Sequence, residues 1–167
     1  MLKFIPIAAV ALMSMSAFAV QKDITVTANV DTSLELLSAD GSALPTNMKM
    51  QYLPGVGLQA TSVSTKIFTN DKTKDLWILL AATPSLKNQT NPGAAEIPLK
   101  VKFSDLDLSS GNPVKLVTQT LFQGDLADGS IALPLSVEPA TVAPVTAAGT
   151  YQGLVSMVLT QDAGSEI

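Results

Sequence analysis

From residue 20 onward, apolar and polar residues alternate with period two again and again, and almost no stretch sustains the period of a helix. Ile24, Val26, Ala28 and Val30 alternate with threonine and asparagine, and Met48, Met50 and Tyr52 alternate with Lys49 and Gln51. Ile97, Leu99, Val101 and Phe103 are set against Glu96, Pro98, Lys100 and Lys102. Successive side chains of a strand point to opposite faces, so each segment predicts a strand with one face on a core and the other in water. Pro98 falls on the polar side and cannot donate a ladder hydrogen bond, which puts that strand at an edge or its start near Pro98. Residues 76–81 are continuously apolar and include Trp77. That run predicts a central strand covered on both faces, although a short buried helix would have the same pattern.

Turn chemistry punctuates these runs. Asp40-Gly41, Pro54-Gly55, Asn70-Asp71, Asn91-Pro92-Gly93, Gly111-Asn112-Pro113 and Asp128-Gly129 all combine residues that favour turns. Short strands with turns at this spacing predict an all-β fold and favour an immunoglobulin-like sandwich, with a small barrel as the competing architecture. Residues 138–149, rich in alanine, proline and threonine, predict an extended connection. Residues 151–160 then predict one closing strand, with Tyr151, Val155, Met157 and Leu159 on one face and Gln152, Ser156 and Thr160 on the other. Leu154 and Val158 make the second face partly apolar.

The first nineteen residues follow another pattern. Lys3 supplies a positive start, residues 4–13 are almost entirely apolar, and Ala17-Phe18-Ala19 is the small-x-small sequence of a signal-peptidase site. Cleavage is expected between Ala19 and Val20. The apolar run is about half the roughly 20 residues that cross a bilayer, so a retained anchor is disfavoured. The remainder, a little under 150 residues, suits one domain with its own core.

Composition then narrows the chemistry. Loss of Lys3 leaves nine lysines against fourteen carboxylates, with no arginine, so nucleic acid is an unsuitable partner. Histidine and cysteine are both absent. Ser-His and Cys-His nucleophilic pairs cannot be built, and a zinc site would need carboxylates alone. No phosphate-binding glycine loop, dinucleotide fingerprint or nucleophile elbow is present. An enzyme is not expected, nor any metal or cofactor. Asp105-Leu106-Asp107 has no further acidic neighbour and is expected to be a solvated loop rather than a calcium site. Asn88-Gln89-Thr90 matches a glycosylation pattern but is expected to be a polar turn, and Lys66, Lys72 and Lys74 are expected to serve surface solubility.

Residues 148–156, Ala-Gly-Thr-Tyr-Gln-Gly-Leu-Val-Ser, closing at Thr160, resemble the terminal motif of the class 5, or alternate chaperone-usher, pilins. These are the major subunits of colonisation-factor fimbriae and the related cable pili. Residues 20–31, Val-Gln-Lys-Asp-Ile-Thr-Val-Thr-Ala-Asn-Val-Asp, are similar to that family's N-terminal strand, and residues 39–45 and 69–71 are similar as well. Where relatives often carry an acidic residue at the second mature position, this chain has Gln21. The resemblance covers residues 20–88 and 147–160 well and the middle only loosely.

What the resemblance implies is a signal peptide over 1–19, a donor-strand extension over 20–31 and a pilin sandwich over 32–167 that lacks one strand. The gap would be filled first by a periplasmic chaperone and then by the extension of the next identical subunit, in a homopolymer delivered through an outer-membrane usher and carrying a minor tip adhesin. Ile24, Val26, Ala28 and Val30 would fill the groove, and Tyr151, Val155, Met157 and Leu159 would form its wall and meet the chaperone. The expected destination is a fimbria on the cell surface, reached through the periplasm. Alternation alone cannot say whose groove a strand fills, so residues 20–30 could equally be the first strand of their own sandwich. Two other readings stay open: a pilin that itself acts as a multivalent adhesin for a host receptor, unlocated in the sequence, or a free secreted binding module.

Overall fold

A computed structural model describes residues 34–162, and in it the period-two segments form strands wherever a neighbouring segment can complete their hydrogen-bond ladder. In chain order these are β1 (Glu35–Ser38), β2 (Tyr52–Leu53), β3 (Gly57–Leu58), β4 (Thr61–Phe68), β5 (Leu76–Leu80), β6 (Ser85–Asn88), β7 (Ile97–Phe103), β8 (Leu106–Leu108) and β9 (Val114–Leu116). A four-residue helix, α1 (Thr118–Leu121), and a single 3-10 turn at Leu126–Asp128 precede β10 (Leu133–Pro139), β11 (Tyr151–Gln152) and β12 (Met157–Gln161). All six turn signals fall outside the strands.

Two sheets of unequal width result. The larger has seven strands in the order β1-β4-β10-β7-β6-β11, with β8 beside β7, and the smaller has three in the order β12-β5-β9. β2 and β3 form a separate hairpin. Ile67 of β4, Val101 and Phe103 of β7, and Leu133 of β10 join Leu76, Ile78 and Leu80 of β5 in one buried cluster. The all-β expectation holds, and β7 keeps the inward face read from its alternation, with Pro98 beside its first residue. β5 is the central strand of its sheet, as expected, but only one of its faces is fully buried. On the other face Trp77 is half-buried. Its indole N–H donates to Asp162 Oδ1 at 2.9 Å, and the Lys115 ammonium lies 5.8 Å from the ring centroid.

Several expectations need correction. The connection read from residue 138 begins at Ala140, because Glu138 and Pro139 complete β10. Residues 106–108 form β8 rather than a loop, and Asp107 receives Lys100 Nζ at 3.1 Å. Lys66 and Lys72 donate to the backbone carbonyls of Asp128 and Gly124, so they tie down the loop after α1 rather than merely solvating the surface. Residues 48–50 alternate in burial as expected but gain no ladder partner among the described residues, and Tyr52 is exposed instead of facing the core.

The closing strand is divided. β11 pairs with β6 in the large sheet, whereas β12 pairs with β5 in the small one, so residues 153–156 carry the chain between layers. Gly153 makes the crossing close to β6, where any Cβ would collide with the Ser85 carbonyl. Gly153→Ala is therefore expected to lower the stability of the folded chain by about 1–3 kcal/mol through overpacking against fixed backbone. A chemical denaturation midpoint equal to that of the parent chain would refute this.

Candidate functional site

The mismatch in sheet width positions the site. Among the described residues, seven strands on one side and three on the other leave part of the large sheet's inner face without an opposing strand, and a cavity of about 1140 Å³ lies there. Val63 of β4, Leu99 of β7, and Leu135 and Val137 of β10 contribute to its lining from the large sheet. Leu86 of β6 lies beside them. These floor residues are apolar because they are the inward positions of strands whose outward positions carry Ser62, Lys100, Ser136 and Glu138.

Two chain segments wall the cavity. One is residues 44–50 with Tyr52, and the other is residues 145–155 with Met157. Residues 44–50 make no backbone–backbone hydrogen bond to other described residues, and among the described strands β12 pairs on one side only, with β5. Backbone N–H and C=O groups left unpaired next to apolar side chains form a template for an added strand. Its floor supplies apolar contact and its walls supply donors and acceptors.

The second wall is held in place by polar contacts at its upstream end. Asn88, only 4% exposed, donates through its amide nitrogen to the Ala148 carbonyl, and its Oδ1 accepts the N–H groups of Thr90 and Asn91. Gly149 has φ of 147° and passes so close to the Asn88 amide that a side chain there would clash. Tyr151 Oη donates to the Ala147 carbonyl at 3.1 Å. Asn88 thus opens the polar turn expected from the sequence, with its side chain buried as a staple and its amide nitrogen already engaged. At the far end of β6, the Ser85 hydroxyl and, secondarily, Lys87 hold the Glu96 carboxyl below the usual glutamate range.

Of the residues singled out from the sequence, Tyr151, Val155 and Met157 line the cavity. Leu159 does not. It stands opposite Ile78 in the β5–β12 register and packs on the core under the small sheet. Ala19, Val20, Ile24, Val26, Ala28 and Val30 lie outside the described residues. Sequence reading missed the floor strands β4 and β10. Leu133, Leu135 and Val137 alternate as regularly as any segment of the chain, but in β4 serine and threonine dilute the signal, and buried Thr65 is accommodated by donating its hydroxyl to the Leu133 carbonyl at 2.7 Å.

Residues 20–160 match the family described as CS1 type fimbrial major subunit. The chain belongs to that family. It is 38% identical to a CS1 fimbrial subunit of Escherichia coli over 160 residues, covering 89% of each chain. To a CFA/I fimbrial subunit of Escherichia coli it is 36% identical over 151 residues, covering 88% of each. Among solved structures it resembles the CooA pilin subunit from enterotoxigenic Escherichia coli, with a TM-score of 0.62, 29% identity, and coverage of 80% of this chain and 90% of that one. The sandwich is accordingly immunoglobulin-like. As a CS1 type fimbrial major subunit, the protein is a structural component of a cell-surface fimbria and assembles with further subunits.

Proposed function

We propose that the cavity is an acceptor groove and that residues 20–31 are the strand that fills it, in the next identical subunit of the fibre. The single observation that carries this reading is the pairing of an apolar floor with two walls whose backbone lacks ladder partners on the cavity side among the described residues. A strand laid between residues 44–50 and β12 answers both needs at once, through ladder hydrogen bonds and side chains pointing down into the floor. Ile24, Val26, Ala28 and Val30 have the period-two apolar face that such a groove requires. Each larger aliphatic residue would contribute roughly 1.5–3 kcal/mol when buried, and each ladder hydrogen bond about 1 kcal/mol.

The geometry of β1 supports donation to a neighbour. Glu35 pairs with Phe68, whereas Thr61 and Val63, at the other end of β4, belong to the cavity. At about 3.3 Å per residue, roughly 17 Å of β4 separates Val63 from the point where residue 34 enters the sheet. A periplasmic chaperone would occupy the groove before assembly, an outer-membrane usher would pass the pilin on, and a minor tip adhesin would end the fibre. Tyr151, Val155 and Met157 would meet chaperone and donor in turn, and Leu159 would brace them from the core side. The family match beginning at Val20 supports cleavage after Ala19, with residues 1–19 as the signal and 32–167 as the pilin domain. The protein works as a building block without a catalytic step.

Because the chain has no cysteine, introduced pairs report contacts cleanly. Fibres carrying Val26→Cys together with a cysteine scanned through Met48, Met50 and Val155 are expected to give, on oxidation, a ladder of subunit multiples that collapses on reduction. A cross-link confined to single subunits, or none at any scanned position, would overturn donation to a neighbour.

A further inference from the structure

The chain contains six methionines. Met1, Met13 and Met15 fall within the first nineteen residues, and the remaining three, Met48, Met50 and Met157, all line the same cavity. They reach it from both walls, two from the segment without ladder partners among the described residues and one from the first residue of β12. Each is half-buried, so its sulfur has apolar neighbours without being sealed from solvent. With no cysteine in the chain, these thioethers are the softest groups it offers to an oxidant.

Resting on the acceptor-groove reading, we propose that Met48, Met50 and Met157 form an oxidation site that is open in the unassembled pilin, is closed by the docked strand, and blocks docking once oxidised. A peroxide transfers one oxygen to each thioether: its O–O bond breaks, an S–O bond forms, the sulfur is oxidised by two electrons and the peroxide is reduced to water. The product is a sulfoxide, a polar and chiral group in place of a flexible apolar one. Its oxygen would be trapped against Val63, Leu135 and Val137, which have no donor to offer. The incoming strand's N–H groups can satisfy that oxygen only by leaving the ladder. An unpaired buried polar group therefore replaces an apolar contact on both walls of the groove.

The test compares two states of the same mature chain: dilute pilin refolded from depolymerised fibres, and intact fibres, each given limiting hydrogen peroxide. Peptide mass mapping is expected to find sulfoxide at Met48, Met50 and Met157 in the free pilin, with oxidation on the order of tenfold slower in the fibre. Concentrating the oxidised pilin should yield no fibres. A variant combining Met48→Leu, Met50→Leu and Met157→Leu lacks the thioethers, so whatever level of polymerisation these substitutions themselves set should be the same before and after peroxide. Equal oxidation rates in the two states, or normal polymerisation of oxidised parent pilin, would overturn the proposal. If either occurs while the Val26 cross-link still forms between subunits, the oxidation site fails and the groove stands. If that cross-link does not form, both fall.

Discussion

Replacing Val26 and Val30 with aspartate is expected to leave the pilin exported and to remove fibres from the cell surface. Both residues lie on the face that the proposed donor strand would turn into the cavity, onto Leu99, Leu135 and Val137. Losing two buried valines forfeits roughly 3–6 kcal/mol of apolar contact, and placing carboxylates over an apolar floor costs several more. The pilin's own core should be untouched, because Phe103, Ile78 and their neighbours pack in one buried cluster built by strands of the two sheets. Electron microscopy of cells and detection of the periplasmic pilin check the two halves separately. Normal fibres would show that these side chains do not enter a groove. Loss of the pilin together with the fibres would instead place residues 20–30 in the protein's own sandwich.

Phe103→Ala should behave in the opposite way, destabilising the pilin itself by about 3–5 kcal/mol. Phe103 is wholly buried where β7, β8 and β10 meet the small sheet, paired with Leu106 across the β7–β8 turn and with Leu135 of β10. The space it would leave lies inside a core with nowhere to collapse from, since both flanking strands are held by their own ladders. Denaturation of the refolded pilin measures the change, and a loss below about 1 kcal/mol would mean that the packing relaxes around the gap. The two variants separate what holds one subunit together from what joins it to the next.

Much of the architecture was legible because a strand's side chains alternate whatever lies around it. β7 and β5 stood out from their alternation or continuous apolarity, and Gly41, Gly55, Gly111 and Gly129 mark turns where positive φ favours glycine. The candidate wall residues Tyr151, Val155 and Met157 were legible too, as the apolar face of a closing strand. β10 carried an equally plain pattern. β4 was obscured because Thr65, buried through one side-chain hydrogen bond, looks like a surface residue in sequence.

The sequence by itself determined an all-β chain, its turn positions, its lack of histidine and cysteine chemistry, and an apolar alternating segment behind Ala19. Only the tertiary structure decided that residues 151–160 split between two sheets at Gly153, that residues 44–50 run beside the core without a ladder partner among the described residues, and that Leu159, on the same face of β12 as Met157, lies beyond the end of the cavity. The physical reason is the same in each case. Alternation records which side chains avoid water, a property of each residue and its neighbours along the chain. Ladder pairing and sheet width depend instead on which distant strand lies alongside, and it is their imbalance, seven described strands against three, that opens the cavity.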